Sequence, residues 1–227
     1  SDTALTEINN DYKYGGSAAD DNSGSLTYVK ICYAGARSTA DIEHNGLTLN
    51  GVGNGTKIEN IYVLESADDA IEFFGGTVNV TNLLAVNPDD DMFDFTQGYC
   101  GTLKNCYGVW ESDYTSTEAD PRGIEADGNM DGLYPDHLRQ SDFKVENMTI
   151  VNNAANTADN VDRMQDVIKI RRGAKATITN ALVKGTGGAI DLVDMKDSKG
   201  AGNIESSINI TSTLSLTGLK QNGELNT

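Results

Sequence analysis

The chain has 227 residues, a length that suits one large domain and allows a substantial core without help from metals or disulfides. It carries 34 Asp and Glu against 17 Lys and Arg, and the net charge of −17 argues against nucleic acid or an anionic membrane surface as a partner. Gly is frequent at 24 residues, Pro is scarce at 3, and no apolar run is long enough for a transmembrane helix. These properties indicate a turn-rich β-protein whose charge suits divalent cations or neutral ligands.

The first recurrent element is a short apolar segment that follows a triplet of an apolar residue, any residue and Asn. The triplet occurs as IEN, VTN, LKN, VEN and ITN, and its Asn residues are 22, 23, 42 and 33 residues apart. Tyr28 fills the same position in an earlier copy. The first and third residues after each triplet are apolar or small and are predicted to point inward. These pairs are Val29/Ile31, Ile61/Val63, Leu83/Ala85, Cys106/Gly108, Met148/Ile150 and Ala181/Val183.

A second strand follows each first strand. These strands are predicted at 46–49, 70–73, 92–95, 123–126, 167–170 and 189–192. One such rung cannot bury its own apolar face, but stacked rungs bury a continuous core. Repeats in the same register favour parallel stacking over a two-sheet sandwich, which needs antiparallel hairpins. The predicted fold is therefore all-β, a right-handed parallel β-helix with rungs of about 22 residues and long inserted loops, forming one domain over 1–227.

The five triplet Asn residues are predicted to stack at one tight turn of the solenoid. Asn tolerates the left-handed backbone conformation, and its amide can hydrogen-bond to the next rung. Their predicted role is structural; they are Asn60, Asn82, Asn105, Asn147 and Asn180.

Three cysteines, Cys32, Cys100 and Cys106, leave at least one thiol unpaired and lack metal-site spacing. Cys100 and Cys106 could pair, but free or buried thiols are expected.

Several segments resemble one family of proteins. YGGSAADDNSGSLTYVKICYAG, LTLNGVGNGTKIENIYVLESADDAIEFFGGTVNVTNLLA, DDDMFDF and GIEADGN are similar to secreted, often lipid-anchored β-helix proteins of Bacteroidota, many of which have no assigned function. The resemblance covers roughly residues 12–155 and extends more broadly to pectin-lyase-like β-helices. It implies the fold, an extracellular or outer-membrane location, and a polysaccharide, surface glycan or cell-surface protein complex as partner. Family members are longer at the N-terminus, so it also implies that this chain lacks early rungs or begins inside the β-helix.

Carboxylates recur at the middle position of the second strands. Glu72, Asp94 and Glu125 are predicted to form an outward column that points to solvent, with neighbouring rungs about 4.8 Å apart. The same position holds Thr48, Lys169 and Asp191, and the preceding turns add Asp68, Asp69, Asp89, Asp90 and Asp91. Carboxylates at this short separation repel one another, so either their pKa values rise or a cation binds between them. Carboxylate oxygens suit Ca²⁺. The alternatives are solvated turns capped by Asp side chains and a pair of catalytic acids.

A second candidate metal site is the segment DGNMDG at 127–132. Asp127, Asn129 and Asp131 have the spacing of the first half of an EF-hand-type calcium loop. The twelfth position is Leu138 rather than Glu, so the full motif fails, and Asp136 is the nearest substitute. A plain Asp/Asn/Gly loop is the alternative.

Residues 110–143 are predicted to be the longest insertion. Long loops on a rigid scaffold commonly carry function, and aromatic rings beside acids and amides are typical of sugar sites. The candidate ligand-binding residues are Trp110, Tyr114, Arg122, Tyr134 and His137. In the alternative interpretation, Trp110 and Tyr134 pin the loop to the solenoid.

The sequence has no catalytic signature, since GxSxG, HExxH and P-loop motifs are missing. No catalytic residue is assigned, although a lyase could use Arg122, Lys169 or Arg171 as its base. The predicted function is a non-catalytic secreted or cell-surface module that binds glycan or mediates adhesion, with Ca²⁺ as its expected cofactor. The alternatives are a structural component of a larger outer-membrane or cell-surface assembly and a Ca²⁺-dependent polysaccharide lyase or glycoside hydrolase.

Overall fold

The computed structural model describes residues 3–39, 42–129, 139–154, 164–200, 204–217 and 220–221. Its strands, in chain order, are β1 (Thr3–Leu5), β2 (Lys13–Gly15), β3 (Ser25–Cys32), β4 (Arg37–Thr39), β5 (Ile42–Glu43), β6 (Leu47–Asn50), β7 (Lys57–Leu64), β8 (Ile71–Phe74), β9 (Asn79–Val86), β10 (Phe93–Thr96), β11 (Thr102–Trp110), β12 (Arg122–Asp127), β13 (Asp142–Asn152), β14 (Met164–Arg171), β15 (Lys175–Lys184), β16 (Gly188–Asp194), β17 (Ser207–Thr217) and β18 (Lys220–Gln221). Among the described residues there is no helix long and apolar enough to cross a membrane.

Two parallel sheets of seven strands each form the body of the protein. The first sheet has the order β17-β15-β13-β11-β9-β7-β3, and the second has the order β18-β16-β14-β12-β10-β8-β6. The chain alternates between the two sheets and advances by one strand in each sheet per turn. This is a right-handed parallel β-helix, so the predicted fold class is confirmed.

The core lies between the two sheets and is filled by the predicted inward pairs. All of those pairs are buried except Val29 and Ile31, which are only partly buried because β3 is the last strand of the first sheet. Aromatic rings from successive turns stack at one place in this core. The ring centroid of Phe95 lies 5.1 Å from that of Phe73 and 4.1 Å from that of Phe143.

The Asn ladder forms as predicted at the bend within each first-sheet strand. All five residues have left-handed backbones, with φ between 54° and 59°. From Asn82 onward, each side-chain amide nitrogen donates to the amide oxygen of the Asn one rung earlier, from Asn82 to Asn60 at 2.8 Å and from Asn105 to Asn82 at 3.0 Å. The ladder continues through Asn147 at 2.8 Å and Asn180 at 2.9 Å. Tyr28 takes the same left-handed position, with φ at 56°.

Replacing Asn82 with Ala is expected to lower the free energy of unfolding by about 1–3 kcal/mol. The change removes two ladder hydrogen bonds and places Ala in a left-handed conformation that it disfavours. Asn82→Gly is the matched control, because Gly accepts that backbone but also lacks the amide. Denaturant unfolding should rank wild type above Gly and Gly above Ala, and an Ala variant as stable as wild type would contradict the structural role.

The N-terminal segment, residues 3–23, folds over the outer face of the second sheet. Its strands β1 and β2 form an antiparallel hairpin. From β2, the ring of Tyr14 meets that of Phe74 edge-on, with centroids 6.3 Å apart. Phe74 points away from the core, yet it is buried by this contact. The N-terminal segment therefore shields part of an outer face that would otherwise meet water.

Two further sequence predictions are resolved by the fold. The three cysteines are free thiols, with Cys32 exposed and Cys106 buried. The predicted insertion at 110–143 contains β12, as the GIEA pattern indicated, so its inserted residues fall before and after that strand. The earlier part, residues 111–121, contacts Pro88 through Tyr114 and Asp89 through Thr117.

Candidate functional site

A groove on the outer face of the second sheet gathers ten carboxylates from the described residues. Its volume is about 180 Å³, and Phe74, Thr96 and Arg171 complete its lining. We call it the carboxylate groove; its acids are Glu7, Glu43, Asp68, Asp69, Glu72, Asp90, Asp91, Asp94, Glu125 and Asp127. Because strands in register repeat every rung, one acidic position in the sequence becomes a row of acids in space.

The predicted carboxylate column forms, but it does not point to bulk solvent. In register, Glu72 pairs with Asp94, and Asp94 with Glu125. Glu72 and Glu125 are each only 8 % exposed, and Asp94 is partly exposed. Neighbouring elements cover this face, and Glu7 of the N-terminal segment lies in the groove itself. The side chains therefore face away from the core, as predicted, into an enclosed and crowded space.

Beyond Lys169, the next member of the column is not the predicted Asp191. The partner of Lys169 in β16 is Asp194, whereas Asp191 pairs with Asp166. This register brings Lys169 Nζ to 2.5 Å from Asp194 Oδ2. Lys169 therefore forms an ion pair with Asp194 rather than lying beside Asp191 as predicted. The repeated pattern of Asp and a charged residue three positions later, at 166–169 and 191–194, explains the shift.

The acidic turns before β8 and β10 are stacked on each other. The backbone amide of Asp91 donates to Asp69 Oδ1 at 2.9 Å, and the amide of Arg122 donates to Asp91 Oδ1 at 2.7 Å. These bonds are the turn capping that the sequence left as an alternative. Asp89 has a different role, because its carboxylate accepts the amide of Thr117 at 2.7 Å and so anchors the loop after β11. Asp89 is thus outside the groove lining, whereas Asp69 and Asp91 cap turns and also line the groove.

Among the described residues of the groove, three overlapping sets of carboxylates bring their oxygens close enough to share a cation. In each set, one oxygen per residue lies within 4.8 Å of the others. Since Ca²⁺ binds oxygen at about 2.3–2.6 Å, two ligands of one ion lie up to about 5 Å apart. Asp69 and Asp94 each belong to two sets, so the sets run continuously along the groove. The sets are Asp68/Asp69/Asp90, Asp69/Glu72/Asp94 and Asp91/Asp94/Glu125.

Burial and mutual repulsion disfavour the ionised form of these acids. Burial, followed by the charge of Asp68, raises the pKa of Asp69 well above its usual value. Burial, followed by the charge of Asp94, raises the pKa of Glu72 in the same way. Burial, with Asp68 and Glu43 nearby, raises the pKa of Glu7 to about 7. The groove therefore favours protons or a metal ion as counter-charge.

Two arginines neutralise the other end of the groove. Arg122 donates to Glu125 at 2.9 Å, to Asp166 at 3.1 Å and to Asp120 at 2.7 Å. Arg171 contacts Glu125 and lies 3.0 Å from Asp127. Although burial opposes the charged form, neighbouring carboxylates raise the pKa of both arginines above the usual value. Both guanidinium groups therefore favour the protonated form and cannot accept a proton.

The predicted calcium loop is described only at its beginning. Asp127 is buried, and its carboxylate is held by Arg171 at 3.0 Å and by Arg172 at 3.2 Å. Asn129 is also buried. Asp131 and Asp136 lie outside the described residues, so this loop stays a prediction. The two arginines compete with any cation for the oxygens of Asp127.

The described aromatic residues of the insertion pin it to the solenoid. Trp110 is 1 % exposed, and its indole nitrogen donates to the Pro88 carbonyl at 3.0 Å. The Tyr114 hydroxyl lies 3.0 Å from the same carbonyl and 3.2 Å from Asp89 Oδ1. A sugar cannot stack on a buried indole, which corrects the ligand-binding role predicted for Trp110. Arg122 belongs to the ion-pair network instead; Tyr134 and His137 lie outside the described residues.

Several residues of the site were missed by sequence reasoning. Glu7 and Glu43 lie outside the repeat and reach the groove only through tertiary folding. Asn45 donates to Glu72 at 2.5 Å, and it precedes the second strand of its rung by two residues. Asp166 and Asp194 were also missed, although the paired charge pattern at 166–169 and 191–194 was a usable signal.

Comparison with known proteins identifies the fold family but no individual relative. Residues 1–226 match the family described as the pectate-lyase-like beta helix domain. No curated protein and no solved structure shows a significant match to the chain. The match spans nearly all of the sequence and agrees with the two stacked parallel sheets. The chain belongs to the family of pectate-lyase-like beta helix domains.

Proposed function

We propose that this protein is a non-catalytic secreted or cell-surface module that binds Ca²⁺ in the carboxylate groove and acts in adhesion or glycan binding. The observation that carries the proposal is the set of three overlapping carboxylate groups, each with oxygens within 4.8 Å of one another. Asp69 and Asp94 join these groups, so they are the central candidate ligands. Glu72, Asp91 and Glu125 complete the sets around Asp94.

The donor set suits a hard divalent cation. All candidate ligands are carboxylate oxygens, which Ca²⁺ prefers, whereas zinc sites use sulfur and nitrogen. A bound Ca²⁺ would supply the positive charge that buried, mutually repelling carboxylates lack. The groove volume of about 180 Å³ is smaller than the roughly 300–1,000 Å³ of small-molecule sites. An ion with a few waters therefore fits this space better than a sugar.

The state of the basic residues supports a non-catalytic role. A lyase on this scaffold needs a base near the metal, and the candidates are Arg122, Lys169 and Arg171. Each is held in an ion pair with a buried carboxylate. A lyase would release unsaturated uronate products, and a hydrolase would release reducing ends. Neither product is expected from polysaccharides incubated with the protein and Ca²⁺.

A place in a larger surface assembly is the second candidate function. β3 is the last strand of the first sheet, and within the described part of the chain no strand pairs with its outer edge. An open edge of this kind can accept a strand from another chain. Light scattering of the purified chain tests this role, since a strict monomer at all concentrations would argue against pairing of the chain with itself.

Calorimetric titration tests the calcium site. Wild-type protein, stripped with EDTA and exchanged into metal-free buffer, is expected to bind Ca²⁺. Asp94→Asn keeps the side-chain shape but removes one charge shared by two ligand sets, so binding should weaken by about tenfold or more. The matched control is Glu59→Gln, because the side chain of Glu59 in β7 is 42 % exposed and pairs with Lys57 at 3.1 Å.

Two results would overturn the proposed site. One is a wild-type protein that takes up no Ca²⁺ at millimolar concentration. The other is an Asp94→Asn variant that binds as tightly as the Glu59→Gln control. In the second case Asp131→Asn tells whether the predicted loop at 127–132 holds the ion instead.

A further inference from the structure

The hairpin of the N-terminal segment carries an acid into a groove that is already acidic. Glu7 lies in the loop between β1 and β2, and its half-buried side chain lines the carboxylate groove together with nine other acids. Burial, and then the negative charges of Asp68 and Glu43, raise the pKa of Glu7 to about 7. At pH 8 the ionised Glu7 is therefore repelled by the groove that it enters.

The basic residue of the groove lies too far along the sheet to balance the charge of Glu7. Within the described lining, Arg171 is the one base, and it contacts Glu125 and Asp127. Arg171 belongs to β14, whereas Asp68 precedes β8, three strands away in the second sheet. At about 4.8 Å per strand, these two strands are about 14 Å apart. A counter-charge for Glu7 therefore has to come from solution.

Apolar packing does little to hold this hairpin against the solenoid. In its loop, Ile8 is 37 % exposed and Tyr12 is 65 % exposed. The ring of Tyr14 touches Phe74 only edge-on, with centroids 6.3 Å apart. The loop is closed on itself, since the backbone amide of Thr6 donates to the Tyr12 carbonyl at 3.0 Å. The hairpin is thus a self-contained unit that presents Glu7 to the groove.

A pair of glycines separates the hairpin from a well-anchored stretch of chain. Gly15 and Gly16 have φ of 106° and 145°, a backbone that other residues rarely adopt. A Cβ built on Gly16 would meet no atom within 4 Å, so this residue borders open space. The hairpin can therefore turn about the two glycines while the chain that follows stays fixed. Three backbone hydrogen bonds hold that chain to the loop at 53–57, from Asn54 to Ala19 at 2.9 Å, from Gly55 to Asp21 at 3.1 Å and from Lys57 to Gly24 at 3.0 Å.

We propose that the β1–β2 hairpin is a cation-dependent strap over the carboxylate groove. A divalent cation held by Glu7 and Asp68 keeps the hairpin closed, and without the cation the hairpin swings away about Gly15 and Gly16. The inference rests on the calcium binding proposed above, and it adds a ligand from outside the repeat and a movement that the ion controls. By linkage, closure of the strap in turn raises the affinity of the groove for the cation.

Digestion of the full chain with endoproteinase Lys-C tests the strap, because Lys13 is an exposed residue of β2 and the first lysine of the sequence. A detached two-stranded hairpin is marginally stable in water and is therefore open to cleavage. In EDTA-stripped wild type at pH 8, millimolar Ca²⁺ should slow cleavage after Lys13 by about tenfold, followed by mass spectrometry. Cleavage after Lys199, whose side chain is 64 % exposed and does not line the groove, should keep its rate.

Glu7→Gln distinguishes a strap held by a cation from a terminus that is simply folded. The change removes the repelled charge at nearly the same shape, so in EDTA the variant should be cut after Lys13 more slowly than wild type. Ca²⁺ should then alter its cleavage rate by less than about twofold, and its calcium affinity should fall by about threefold or more. The matched control is Asp11→Asn, because Asp11 is an exposed acid of the same loop that does not line the groove. This control should respond to Ca²⁺ as wild type does.

Calorimetric titration of the same samples with Ca²⁺ separates failure of the strap from failure of the calcium site. If wild type binds Ca²⁺ while cleavage after Lys13 keeps its rate, the strap is overturned and the calcium site stands. The strap is equally overturned if the Glu7→Gln and Asp11→Asn variants respond to Ca²⁺ alike. If wild type binds no Ca²⁺, the calcium site is overturned and the strap falls with it.

Discussion

Phe95→Ala is expected to lower the free energy of unfolding by about 3–5 kcal/mol. The Phe95 ring is fully buried between the rings of Phe73 at 5.1 Å and Phe143 at 4.1 Å, and Tyr99 lies at 5.6 Å. Its removal opens a cavity in the middle of a stack. Because strands on both sides fix the rungs in register, the surroundings cannot collapse to fill that space.

Thermal or denaturant unfolding measures this effect. For a chain of this length each kcal/mol corresponds to about 2–4 °C, so the midpoint should fall by about 6–20 °C. Tyr107→Ala is the control, because Tyr107 is an aromatic residue of the outer face and is 38 % exposed. That change should alter stability by no more than about 0.5 kcal/mol. Equal losses in the two variants would contradict a core organised around the stack.

Arg122→Met is the second change with a large expected effect. Arg122 binds Glu125, Asp166 and Asp120, and its side chain is only 6 % exposed. Its loss leaves buried carboxylates without their counter-charge, which costs about 3–5 kcal/mol. Arg122 lowers the pKa of Asp166, which burial otherwise raises. Without Arg122 that pKa rises further, so the destabilisation should be larger at pH 8 than at pH 5, where Asp166 can take up a proton.

Lys104→Met provides the comparison for Arg122→Met. Lys104 lies 3.4 Å from Glu146, but their side chains are 49 % and 39 % exposed. Water screens such a pair, so its loss should cost less than about 1 kcal/mol at either pH. An Arg122 variant that behaves like the Lys104 variant would show that the buried network is not needed for stability.

The repeated parts of the fold could be predicted from the sequence because each rung repeats the same pattern of residues. The triplet Asn marks a left-handed bend, and the alternating apolar residues after it mark the inward face. Five copies of that signal fix the register of the first sheet. The Glu72, Asp94 and Glu125 column follows from the same periodicity, and the structure pairs all three as expected.

The remaining features depend on contacts that no repeat encodes. Nothing local to Glu7 indicates that the N-terminal segment folds over the second sheet, so the column was expected to meet solvent. Asp194 lies beside Lys169 because β14 and β16 pair in the register that brings these opposite charges together. From the sequence, Trp110 was predicted to bind a ligand. In the structure its indole N–H donates a hydrogen bond to the Pro88 carbonyl one rung earlier, and the ring is buried.

The carboxylate groove gives the metal-free protein a definite pH dependence. The pKa of Glu7 is raised from 4.5 to about 7, so the folded state binds a proton more tightly than the unfolded state does. Its contribution to stability is fully present below pH 4.5 and is lost as the pH rises through about 7. The raised pKa values of Asp69, Glu72 and Asp94 act in the same direction. The Ca²⁺ that we propose to bind in the groove would compete with these protons, so its stabilising effect should grow with pH.

The most direct test of the proposed calcium site is thermal unfolding of the EDTA-stripped full chain at pH 8, with and without Ca²⁺, against Mg²⁺ at equal concentration. A ligand that binds only the folded state at about 100 times its Kd adds about 2.7 kcal/mol of stability. A calcium site in the carboxylate groove predicts that Ca²⁺ raises the midpoint by about 5–11 °C at pH 8 and by much less at pH 5. A midpoint that Ca²⁺ leaves unchanged at pH 8 would contradict it.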